Sequence, residues 1–83
     1  MLEQALKYVA QSASLKPTSA GAFYNMACYQ ALLGKDQSEI LANLKRAFEL
    51  KATLKEQALK DEDLASLREV QQFKDLTGDK SQA

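Results

Sequence analysis

The sequence predicts an all-α fold of antiparallel helical hairpins, and three observations carry that prediction. Apolar residues recur at three-and-four spacing along most of the chain, Pro17 and Gly34 stand between such stretches, and no stretch alternates apolar and polar residues as a half-buried strand does. At 83 residues the chain has room for one small domain.

The first helix is expected from Leu2 to about Leu15, where Leu2, Ala5, Leu6, Val9 and Ala13 fall on one side. Pro17 cannot continue it, because proline lacks the amide hydrogen and clashes with the preceding turn. Thr18 or Ser19 can then cap a second helix, expected from about Ser19 to Leu33, with Phe23, Met26, Ala27, Gln30 and Leu33 on one face. Gly34 stands where that helix must stop. Asp36 and Glu39 have capping-box spacing for a third helix ending near Leu50 or Lys51, with Ile40, Leu44, Ala47 and Phe48 inward; Ser38 is an alternative cap. Phe23, Met26, Ala27, Leu44, Ala47 and Phe48 are the expected core of this hairpin. Thr53 and Glu56 repeat the capping spacing before a shorter helix that carries Leu54, Ala58 and Leu59 inward. Asp61, Glu62 and Asp63 then precede a last helical segment held by Leu64, Leu67, Phe73 and Leu76, with a bend near Glu69. The final residues, from Gly78 on, hold no large apolar side chain and are expected to fray.

Composition narrows the function. Eleven Lys plus Arg balance eleven Asp plus Glu, and the two signs are interleaved, so the basic patch that a nucleic-acid module needs is missing. Apolar runs stay far below the roughly 20 residues of a membrane span, and no leader-like pattern opens the sequence, which leads to the expectation of a soluble, cytoplasmic protein without membrane partners. One cysteine, Cys28, allows no internal disulfide. With no histidine, the commonest metal ligand and acid-base group is missing, and Cys28 has no such partner to activate it. The Asp61 to Asp63 cluster lacks the ligand spacing and central glycine of a calcium loop and reads as helix capping. Gly21, Gly34 and Gly78 are too far apart to form a phosphate cradle. These readings lead to the expectation of a non-enzymatic chain without a metal or cofactor.

The hairpin resembles the tetratricopeptide repeat, a helix-turn-helix unit of about 34 residues. Phe23 stands at the large apolar site opening the repeat's first helix, Met26 and Ala27 match its aliphatic-then-small pair, Gly34 its turn glycine, and Ala47 the small residue of its second helix. Gln30 departs from the aromatic residue usual there, and one extra residue lies between Gly34 and Ile40. Ala5, Val9, Ser12 and Pro17 resemble the second half of a preceding repeat, and DEDLASLREVQQFKDL is similar to the ending of many such proteins.

The resemblance implies a short stacked α-solenoid: residues 1–16 as the second helix of a preceding repeat, 19–51 as one full repeat, 53–78 as a degenerate terminal cap, and 79–83 as a flexible tail. That is about one and a half repeats, where stacked arrays need about three to bury a continuous core. The first helix would thus keep one bare face, to be covered by a longer array of which this chain is the C-terminal part, or by a homodimer. Repeats of this family bind a peptide or partner helix in a groove lined by their first helices, which implies a groove at Tyr24, Asn25, Cys28 and Leu32. Asn25 matches the place of an asparagine that chaperone-binding members use to hold a terminal carboxylate, but the basic residues of that clamp have no counterpart here. The resemblance therefore implies a protein-interaction module, or alternatively a structural end cap or self-association element.

Overall fold

A computed structural model describes residues 2–78, and these are all-α, with no strand among them. Helix α1 spans Leu2–Leu15, α2 Ala20–Leu32, α3 Gln37–Leu50, α4 Leu54–Lys60 and α5 Gln71–Thr77, with a 3-10 turn at Glu62–Leu67 between the last two. The expected tail, 79–83, lies outside the described residues.

Local chemistry sets most of these boundaries. The Ser19 hydroxyl accepts the Ala22 amide at 3.3 Å and starts α2, while the Asp36 carboxylate accepts the Glu39 amide at 3.3 Å and starts α3. Between them the chain reverses through Gly34, whose φ of 69° lies in the left-handed region that side chains disfavour. There the Gly34 amide donates to the Ala31 carbonyl at 3.2 Å and the Lys35 amide to the Gln30 carbonyl at 2.9 Å. This paired arrangement closes the carbonyls left open at the end of α2. Thr53 corrects an expectation: it makes no side-chain cap bond, because its own backbone is already helical (φ −63°, ψ −18°) where a cap needs an extended one. The chain instead enters α4 through tight turns, Leu54 amide to Lys51 carbonyl and Lys55 amide to Ala52 carbonyl, both 3.1 Å. The bend expected near Glu69 is present, as the break between the 3-10 turn and α5.

The core is built from α2, α3 and everything after them. Ala27, Leu44, Ala47, Ala58, Leu64 and Phe73 are closed to solvent, and Tyr24, Cys28, Ile40, Phe48, Leu54 and Leu67 complete the cluster. Phe23 is only half-buried at its margin and Met26 lies outside it, contrary to expectation. The cluster is centred on the sides of α2 that meet α3 and the C-terminal segment, so residues one position round are left at the edge. Where a repeat of the resembled kind has an aromatic residue, Gln30 Oε1 accepts a hydrogen bond from Asn43 Nδ2 at 2.8 Å, tying α2 to α3 by a polar link.

The C-terminal segment folds back over the hairpin. Its 3-10 turn lies on α2, and α5 packs against α3 and α4. Helix α1 lies on the remaining side of α2, with Ala13 as its one buried residue and no member in the central cluster. Tyr8 and Leu15 on α1 are 71% and 86% exposed.

Candidate functional site

The four residues of the expected groove divide into two pairs. Tyr24 and Cys28, one helical turn apart on α2, are buried at 3% and 4% exposure, whereas Asn25 is exposed and Leu32 is 47% exposed. The first pair is covered by the chain itself. Tyr24 and Cys28 are therefore not open to solvent in this conformation. Asn25 and Leu32, with exposed Gly21, follow one another at helical spacing and form the open stripe of α2.

Asp61 makes that closure. As the residue preceding the 3-10 turn, it uses Oδ1 to accept the Asp63 amide at 3.0 Å, an Asx-type cap. Its other carboxylate oxygen, Oδ2, accepts the Tyr24 hydroxyl at 2.8 Å and, more weakly, the Cys28 thiol at 3.8 Å. Arg68 Nη2 donates to the Asp61 backbone carbonyl at 3.3 Å from the far end of the turn, while Arg68 Nε is buried without a partner. Leu64 and Leu67 follow Asp61 by three and six residues and insert into the core, so one capping aspartate aims both leucines at α2.

The electrostatics follow from this packing. Burial pushes the Cys28 thiol up to about 12, and the negative charges of Asp61 and Asp63 add to the shift. Burial also raises the Tyr24 phenol far above its ordinary value, reinforced by the hydrogen bond to Asp61. Both groups are neutral donors at physiological pH, so Cys28 is a packed thiol and not an activated one. Cys28, Asp61 and Asp63 place their ligand atoms within 4.8 Å of one another, the one such group among the described residues. Both Asp61 oxygens are engaged, Oδ2 by Tyr24 and Cys28 and Oδ1 by the Asp63 amide, so the group is joined by internal hydrogen bonds.

The reach of Asp61 to α2 goes beyond the helix capping that its place in the sequence predicts. A weak signal was present: a tyrosine buried on a helix face needs a partner for its hydroxyl, and the acidic turn offers carboxylates. Among the described residues no helix is long and apolar enough to cross a membrane. Comparison of the chain with protein-family models, with curated proteins and with solved structures finds no match.

Proposed function

We propose that the chain is a non-enzymatic protein-interaction module of the tetratricopeptide kind, whose C-terminal segment closes part of its own groove. The observation that carries this reading is the unequal cover of α2. Its Tyr24 and Cys28 side is sealed by the turn after Asp61, while Gly21, Asn25 and Leu32 are exposed. A partner segment docking on that stripe would bury Leu32 and hydrogen-bond to the Asn25 amide, without chemistry by the chain itself.

A second reading, a structural end cap or self-association element, is favoured by α1. Its outer side keeps Tyr8 and Leu15 in solvent, the bare flank expected where a stack of helices stops short. Photo-crosslinking separates the two, with the reactive residue placed at position 32 in one sample and at position 8 in another. The interaction reading expects adducts with another protein from position 32. Adducts from position 8 alone, or crosslinked copies of this chain, support the second reading and contradict the first.

A further inference from the structure

Two apolar hollows meet along the outer side of α3. The larger, about 420 Å³, lies between α3 and α5, where Leu41, Ala42 and Leu76 supply apolar surface and Lys45 and Asp75 supply charge. The smaller, about 200 Å³, shares Lys45 and Leu76 with it and extends past Phe48 to Lys55. Together they form one groove, wide enough at its larger end for a bulky side chain.

Charge is unevenly spread along this groove. Asp75 lies at the α5 end, where it accepts a hydrogen bond from Gln71 Nε2 at 2.9 Å. At the other end Glu49 is paired with Arg46 at 3.6 Å, which offsets the only carboxylate there. Lys45 and Lys55 have no ion-pair partner among the described residues. Lys45 thus stands where the two hollows meet and Lys55 at the far side of the smaller one, while Asp75 lines only the larger.

We propose that this groove docks a segment of a partner protein that carries a leucine-type side chain followed by acidic residues. The aliphatic group fills the α3/α5 cleft beside Leu41 and Leu76, and the carboxylates reach Lys45 and Lys55. Asp75 repels an acid at the other end and so fixes the direction of the segment. This rests on the interaction-module reading but uses a surface separate from α2. Exposed ion pairs contribute little each, so binding is weak and sensitive to salt.

The test is a titration of the full ¹⁵N-labelled chain with two capped synthetic peptides, one of leucines followed by glutamates and one with lysines in place of the glutamates, and with decanoate as a small amphiphile. The expected result is saturable shifts of α3 and α5 amides with the acidic peptide alone, weakened by added salt. Lys45→Glu with Lys55→Glu should lower that affinity about tenfold, two exposed pairs being lost. The control pair Lys16→Glu with Lys35→Glu, outside the groove, should leave it unchanged. Circular dichroism checks that both variants keep native helicity; as an independent variant, Ala42→Glu should also weaken the acidic peptide. Equal binding of both peptides, absence of saturable shifts, shifts confined to α2, or binding of decanoate without the acidic peptide would each overturn the proposal. Because the crosslinking test reads α2 and α1, a failure here leaves the interaction-module reading standing.

Discussion

Helix α2 has α1 on one flank and the turn after Asp61 on another, and the two neighbours are held by different means. The turn is only six residues long, yet it places Leu64 and Leu67 in the core and fixes its start through the Tyr24–Asp61 hydrogen bond. Helix α1 has fourteen residues and buries one of them, Ala13. Length of helix is therefore a poor guide to attachment in this molecule. What counts is apolar surface removed from water and the polar contacts that orient it.

The sharpest way to break this comparison is to remove the same side-chain atoms from each flank. Leu64→Ala deletes a fully buried side chain and should cost about 3 kcal/mol, within the range for core leucines, whereas Leu6→Ala, at a half-buried position of α1, should cost about 1 kcal/mol. Denaturant unfolding of both variants measures the gap; equal losses would mean that α1 is as firmly seated as the turn. A smaller effect probes the polar contact alone. Tyr24→Phe keeps the ring and removes the donor to Asp61, with an expected loss of about 1 kcal/mol. Stability unchanged by this substitution would reduce the hydrogen bond to a consequence of packing.

The burial of Tyr24 and Cys28 beside Asp61 predicts a pH effect. Folding raises the affinity of the Cys28 thiol and the Tyr24 phenol for their protons, so at alkaline pH the unfolded chain releases protons that the folded chain retains. The contribution is fully present below the ordinary thiol value of 9.0 and is lost as pH rises toward about 12. Stability should thus hold near neutrality and fall above about pH 9, and Cys28→Ala should flatten the first part of that fall. A fall of equal steepness in Cys28→Ala would assign the effect to other groups.

Much of the fold was legible in the sequence because the signals for helix boundaries are local. Ser19 and Asp36 cap the helices that follow them, Gly34 takes the left-handed conformation its place between two amphipathic stretches called for, and Leu64, Leu67 and Phe73 are buried as their spacing implied. Thr53 had the same spacing to Glu56 and does not cap, since spacing cannot report the backbone angle the residue adopts. The candidate groove was legible only in part. The row Tyr24, Cys28 and Leu32 was correctly placed along one helix, but which members stay open depends on Asp61, 37 residues from Tyr24 in sequence. Helical periodicity says that a stripe is apolar without saying which distant segment covers it. The amphipathic pattern of α1 was likewise plain, and its shallow seating was not.

Thiol labelling tests the covered groove most directly, because Cys28 is the only cysteine. If the turn after Asp61 seals α2, Cys28 reacts with a disulfide reagent only as fast as the chain unfolds, and the rate climbs with denaturant in step with global unfolding. A cysteine placed on the open stripe, Leu32→Cys in a Cys28→Ser background, should react at once. Labelling of native Cys28 at a rate independent of denaturant and close to that of the unfolded chain would show that the turn does not hold, and the account would fail with it.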